Sequence, residues 1–210
     1  RKLLTVGVIA AMTLSMAACT SGNDTSSSSG SSDKKETKAG TGKIGVAMPT
    51  KDLQRWNQDG ENMKKQLEDA GYEVDLQFAS NDVATQVSQV ENMVSGGCDA
   101  IVIGSIDGES LGTPLKQAEE QGIPVISYDR LIMNSSAVTY YATFDNYLVG
   151  QKQGEYIVDA LDLDNTDGPY NLEIFTGDPG DNNVNFFYGG AMEVLQPYMG
   201  GMTKIEKKSK

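Results

Sequence analysis

Histidine is absent from the 210 residues, and cysteine occurs only at Cys19 and Cys98. Without histidine there is no Ser-His-Asp or Cys-His nucleophile system, and the commonest zinc ligand is missing. Basic residues are scarce: 17 Lys and Arg stand against 29 Asp and Glu, a formal net charge of −12. That balance argues against nucleic acid as a partner, because neutralising phosphates needs a basic face. Carboxylates abound, yet nothing in their spacing selects two of the 29 as a glycosidase-like pair. Gly177-Asp-Pro-Gly180 lacks the glycine spacing and the Lys-Ser/Thr pair of a phosphate loop, and Thr41-Gly-Lys-Ile-Gly45 precedes a strand instead of following one. No cofactor, no metal and no enzymatic activity are expected. Hydrophobic residues make up 39%, enough for a real core.

What is present begins at the N-terminus. Arg1 and Lys2 precede a short apolar run from Leu3 to Met16, followed at once by Ala17-Ala18-Cys19. The run is too short to span a bilayer comfortably and has the layout of a secretory signal peptide. Leu14-Ser-Met-Ala-Ala-Cys19 resembles the lipobox of bacterial lipoproteins, which implies that Cys19 carries a lipid and becomes the new N-terminus. Residues 20–42 are Ser, Gly, Thr and Asp with a few Lys, and read as a flexible tether. The domain would thus be held outside a membrane by its lipid alone. With Cys19 taken, Cys98 has no partner for a disulfide and reads as a buried, inert thiol.

From Lys43 onward, strands and helices alternate. Lys43–Met48, Val74–Ala79, Ala100–Gly104, Pro124–Tyr128 and Thr139–Phe144 read as strands. Helices are expected over about Asn57–Ala70, with Met63, Leu67 and Ala70 on one face, and along Val83, Val87, Val90 and Val94. A third follows Leu111, Leu115 and Ala118. Gly71, Gly96-Gly97 and Gly122 stop them. Continuous apolar strands in this rhythm mean an α/β fold with a parallel sheet covered on both faces. The rhythm restarts after Phe144. A helix over Tyr147–Leu161 should turn Val149, Gln153, Tyr156 or Ile157, and Ala160 inward. A strand spans Leu172–Thr176, and a helix over Asn183–Tyr198 should bury Phe187, Ala191, Val194 and Tyr198. The expected divisions are a signal peptide over 1–19, the tether over 20–42, a first lobe over 43–144, a partial second lobe over 145–199 and an unstructured tail over 200–210.

Ligands of open parallel sheets sit at the carboxyl ends of the strands. Those ends carry Arg55-Trp56, Asn81-Asp82, Asp107, Asp129-Arg130, Asp145-Asn146 and Asp181-Asn-Asn183. A monosaccharide is a ring of hydroxyls that both donate and accept. Carboxylates accept, Arg donates and Asn does both, while the sugar's C–H face lies flat on an indole. Singly, these residues have plainer readings: Asn81, Asp82 and Asn183 suit helix N-caps, and Trp56 suits a core.

Together, in order, Lys43-Ile-Gly-Val-Ala-Met-Pro-Thr50, Arg55-Trp56, Gln89-Val-Glu-Asn-Met93, Tyr128-Asp-Arg130, Ala142-Thr-Phe-Asp-Asn146 and Asp181-Asn-Asn183 resemble the type I periplasmic sugar-binding proteins. The similarity is to their multiple-monosaccharide and xylose-binding branch and runs from about Lys43 to Met199. The resemblance implies two doubly wound lobes joined by hinge strands, closing on one sugar without catalysis. It implies Trp56 as the stacking aromatic, Arg55 as its polar neighbour, and Asp129 and Arg130 as binders of ring hydroxyls. Asp107 is implied as a further first-lobe contact, Asp145 and Asn146 as the first hinge crossing, and Asp181, Asn182 and Asn183 as the second-lobe contact loop. Family members run well beyond Met199, so the chain is expected to be a truncated or frameshifted piece of a complete receptor. The implied role is that of a monomeric, lipid-anchored extracytoplasmic protein that captures xylose, glucose, galactose or arabinose and delivers it to an ABC permease. The alternative is a sensor that presents the sugar to a chemoreceptor or histidine kinase. A surface glycosidase and a sugar-responsive repressor fit less well.

Overall fold

The Lys43–Met48 strand (β1) is apolar toward both faces, so it belongs in the middle of a sheet and not at its edge. In the computed structural model, which describes residues 40–166, 168–200 and 208–209, β1 lies between β2 (Glu73–Phe78) and β3 (Ala100–Ile103). β4 (Val125–Tyr128) and β5 (Val138–Ala142) complete a five-stranded sheet of order β2-β1-β3-β4-β5, every pair parallel. The signal peptide with Cys19, nearly all of the tether and most of the tail lie outside the described residues.

Alternation along β1 divides the core. Val46 and Met48 meet Trp56 under helix α1 (Gln54–Asp69), with Met63, Leu67, Leu76 and Phe78 packed around them. Ala47 faces the opposite way, into a layer formed with helix α2 (Val83–Ser95) and helix α3 (Gly112–Glu120). There Val90, Met93, Val94, Ile101, Ile103, Leu115 and Ala118 are at most 1% exposed. Cys98 is buried in that layer, and burial pushes its thiol pKa up, as suits an inert thiol. Gly71, Gly97 and Gly122 follow their helices with positive φ, the left-handed stop expected of them. Ala70 is the exception on the α1 face: it caps the helix and is exposed.

The second part follows the expected order but not the expected faces. Helix α4 (Asn146–Leu161) and helix α5 (Asn183–Leu195) pack on each other, ahead of a single 3₁₀ turn at Gln196–Tyr198. On α4 the buried stripe is Asn146, Gly150, Gly154 and Val158, one step round from Val149, Gln153 and Ile157. On α5 it is Asn183, Gly190, Met192 and Leu195; Phe187, Ala191 and Val194 are half-buried and Tyr198 is exposed. The cause is backbone proximity. A methyl at Gly150 would meet the Phe187 carbonyl, and one at Gly190 would meet the Tyr147 carbonyl. Close approach through glycine decides which stripe turns inward, and the apolar stripe beside it remains open.

The strand expected over Leu172–Thr176 shrinks to β6 (Phe175–Thr176), because among the described residues only β7 (Lys208–Ser209) pairs with it. A strand segment without a ladder partner has no reason to persist. β7 also corrects the expectation that residues 200–210 hold no element.

Replacing Gly190 by Ala should destabilise the chain by about 1–3 kcal/mol, the usual cost of overpacking a close contact. Chemical denaturation of the variant beside Gly200→Ala, where nothing lies within 4 Å, checks this. Equal midpoints would mean that the helix pair does not pack through its glycines.

Candidate ligand-binding site

β2 and β3 flank β1 on opposite sides, so the connections after β1 and β3 leave in opposite directions and open a crevice at the carboxyl ends. Around that crevice lies a cleft of about 360 Å³, lined by Leu53, Gln54, Arg55, Trp56, Asp129, Arg130, Phe144, Asp181, Asn183 and Phe187. A second cleft, of about 450 Å³, lies along α4, α5 and β6, but Ile157, Leu172, Phe175, Phe187 and Met192 make it chiefly apolar. The convergent charged groups are in the first.

Asp129 is the centre of the polar cleft. It follows β4 with φ +64, a left-handed conformation that costs a non-glycine residue of order 1–3 kcal/mol and persists only where its surroundings over-determine it. Its Oδ2 accepts from Arg55 Nη2 at 2.5 Å, and its Oδ1 accepts from Asn183 Nδ2 at 3.3 Å. Arg55 also faces Asp59, 3.4 Å away, and Tyr128 Oη donates to Asp59 Oδ2 at 3.1 Å. Burial alone would lower the Arg55 pKa; the hydrogen bond and charge of Asp129, with Asp59 behind, reverse this and raise it. Arg55 is therefore a fixed cation.

Arg130 is the second cation. Its Nη1 donates to the Ser105 carbonyl at 3.1 Å, which ties it to the end of β3. Its Nε lies 2.9 Å from Asp181 Oδ2 across the cleft. The alignment there is poor: the pair is held by charge, and the buried Nε–H has no hydrogen-bond acceptor. The two cations and the two carboxylates cancel, so the cleft carries no net charge. It presents donors and acceptors together, which suits a neutral polyhydroxylated molecule.

Trp56, implied by the resemblance as the stacking aromatic, lines the cleft from below. It is 3% exposed and belongs to the core with Val46 and Met48. Its ring is covered by the guanidinium groups of Arg55, 4.3 Å from the centroid, and Arg130, at 5.3 Å. The indole is a floor that holds both cations in place.

Of the other residues singled out in the sequence, Asp181 and Asn183 reach the cleft. Asn183 opens α5 but does not cap it; its Nδ2 donates to the Asp129 carbonyl at 3.2 Å. Asn146 sits behind it, 5% exposed, and donates to Asn183 Oδ1 at 3.1 Å. Asp145 caps α4 by accepting from Leu148 N. Asp107 accepts from Glu109 N at the rim, where Gly108 N donates to the Gly180 carbonyl at 3.2 Å. Asn182 pairs weakly with Asn185. Asp82 caps α2 through Thr85 N, its plainer reading. Leu53, Gln54, Phe144 and Phe187 were not foreseen as lining residues. Phe144 reads as the end of a strand and Phe187 as part of a core stripe, and no signal in the sequence marks either as a lining residue; in the structure Phe144 is 53% exposed.

The model of the periplasmic binding protein domain matches residues 44–209. The chain belongs to the periplasmic binding protein domain family. The chain is 54% identical over 156 residues to the multiple sugar-binding periplasmic protein SbpA of Azospirillum brasilense, covering 74% of this chain and 44% of that protein. It is also 54% identical, over 161 residues, to the multiple sugar-binding periplasmic receptor ChvE of Rhizobium radiobacter, covering 77% and 46%. Among solved structures, an ABC transporter solute-binding protein from Clostridium phytofermentans with bound β-D-glucose superposes with a TM-score of 0.76. It is 68% identical and is covered over 54% of its length, against 80% of this chain. The chain spans about half the length of the relatives it matches. This family membership agrees with the α/β, parallel-sheet architecture and with the resemblance drawn from the sequence.

The acid network beside the cleft has a titration signature. Burial, and then the hydrogen bond to Asp59, push the Tyr128 phenol above its ordinary pKa of 10.0. The neutral phenol is favoured by the fold, so its stabilisation is complete below that value and is lost as pH rises through the higher folded value. Wild type should therefore lose stability relative to Tyr128→Phe as pH climbs past 10. A difference between them that does not change with pH would show that the fold does not favour the neutral phenol.

Proposed function

We propose that this chain is the capturing part of a non-catalytic solute-binding protein for a neutral monosaccharide. The observation that carries the reading is the meeting of Arg55, Arg130, Asp129, Asp181 and Asn183 in one charge-balanced cleft at the strand ends, with Phe144 and Phe187 on its walls. Hydroxyls of the sugar donate to the carboxylates and accept from the guanidinium N–H groups that face the cleft. The Phe144 and Phe187 rings, with whatever edge of Trp56 the arginines uncover, meet the C–H face. The relatives named for multiple sugars and the neighbour that holds glucose support a pentose or hexose such as xylose, glucose, galactose or arabinose.

The cleft is built from both sides of the Thr143–Asn146 crossing, so ligand bonds that span it favour closure. Asp107, Asp145 and Asn182 serve at the rim and hinge in this reading, and not as direct ligands. Export through the Leu3–Cys19 segment, anchoring by a lipid on Cys19 and delivery to an ABC permease complete the proposed role.

Isothermal titration of the chain from Gly42 onward with a panel of neutral aldoses, a uronic acid and a sugar phosphate tests the reading. One-to-one heat with a neutral aldose and none with the anions is expected. Arg130→Ala should weaken that binding by about 1.5–3 kcal/mol, roughly tenfold to a hundredfold. A folded chain that gives no heat with any aldose, or prefers the anions, would overturn it.

A further inference from the structure

Asp129 has to be aimed before it can bind anything, and apart from Asn183 the groups that aim it lie outside the cleft. Its amide donates to the Ala142 carbonyl at 2.8 Å. Its own carbonyl accepts from Tyr141 Oη at 3.2 Å, Thr143 Oγ1 at 3.1 Å and Asn183 Nδ2 at 3.2 Å. Three donors on one carbonyl exceed its usual share and pin a left-handed residue whose φ is +64. Thr143 does more, because its Oγ1 also accepts from Asn146 Nδ2 at 3.3 Å. Asn146 is the first residue of α4, on the far side of the crossing. A continuous chain of hydrogen bonds thus runs from the second part of the molecule, through the Thr143 hydroxyl, to the peptide that carries the Asp129 carboxylate.

We propose that Thr143, assisted by Tyr141, is a positioning residue: it holds the Asp129 peptide in its left-handed conformation and couples the carboxylate's aim to the state of the crossing. Neither side chain lines the cleft. The proposal rests on the reading of that cleft as a monosaccharide site. Thr143 can serve both bonds because a hydroxyl accepts from the amide while it donates to the carbonyl. Valine has the same shape and can do neither. Serine can do both.

The test measures aldose affinity for wild type, Thr143→Val, Thr143→Ser and Tyr141→Phe, each with and without Asp129→Asn, beside the Asp129 carbonyl ¹³C shift and its HN–Hα coupling in the ligand-free chain. Asparagine tolerates left-handed backbone as aspartate does, so that substitution removes the charge and keeps the turn. Thr143→Val should weaken aldose binding about tenfold, the scale of one lost hydrogen bond. Thr143→Ser should restore it, and the loss should shrink in the Asp129→Asn background. The carbonyl shift and coupling should move in Thr143→Val and not in Thr143→Ser. Undiminished affinity in Thr143→Val, or a loss unchanged in the Asp129→Asn background, overturns the proposal. If wild type binds no aldose, the monosaccharide reading falls, and the backbone signals decide alone. Unmoved signals overturn the positioning role, and signals that move with valine and return with serine sustain it.

Discussion

The Arg55–Asp129 pair is the interaction on which the rest of the site depends. Arg55 stands on the first turn of α1, and Asp129 on the residue after β4. Their contact fixes the distance between two segments far apart in the chain. Asp129 in turn reaches β5 through Ala142 and Tyr141, the residue after it through Thr143, and α5 through Asn183. Aspartate tolerates a left-handed turn better than most residues with a side chain, but still at a cost. Here the bonds around it make that conformation the only one that satisfies all of its partners, so the strain is held by the structure around it.

The same logic explains Trp56. A large indole in a core would need no arginine beside it, and an indole meant as an open platform would need a bare face. The two guanidinium groups over its ring suggest a third arrangement. The indole holds Arg55 and Arg130 over its ring, and each cation also meets a carboxylate. Ordering these long side chains in advance lowers the entropy that a ligand must otherwise supply. The aromatic that was easiest to notice in the sequence supports the polar groups, and the less conspicuous Phe144 and Phe187 form the walls.

Much of the first part was legible because each signal is local. Apolar runs ending at Gly71, Gly97 and Gly122 mark strand and helix boundaries whatever else the chain does. The strand-end rule brought Arg55, Asp129 and Arg130 to one place, since parallel strands of one sheet present their carboxyl ends on one side; Asp181 and Asn183 follow β6, which pairs in a separate sheet. The faces of α4 and α5 were not legible, because hydrophobic periodicity assumes that the largest apolar side chains turn inward. Glycine carries no hydropathy signal for a close backbone contact, so Gly150, Gly154 and Gly190 were invisible as a packing stripe. Asn146 and Asn183 illustrate the same gap for polar residues. Each begins a helix and invites a capping role, but their buried amides bond to each other and not to their own backbones.

In the proposed reading, charge selects the ligand at two ranges. The chain as a whole is acidic, with a formal net charge of −12, and its field therefore repels anions on approach. Within the cleft the two arginines are each matched by an aspartate, so no uncompensated cation waits for a carboxylate or phosphate. An anionic ligand would have to displace Asp129 or Asp181 from its arginine and leave that carboxylate without its cation, which is costly. A cation would gain from the distant field but would meet Arg55 and Arg130 at contact. A neutral polyol avoids both penalties. It can donate to the carboxylates and accept from the guanidinium groups without breaking the pairs, and its exchange of water for protein hydrogen bonds is the same on each side of the ledger.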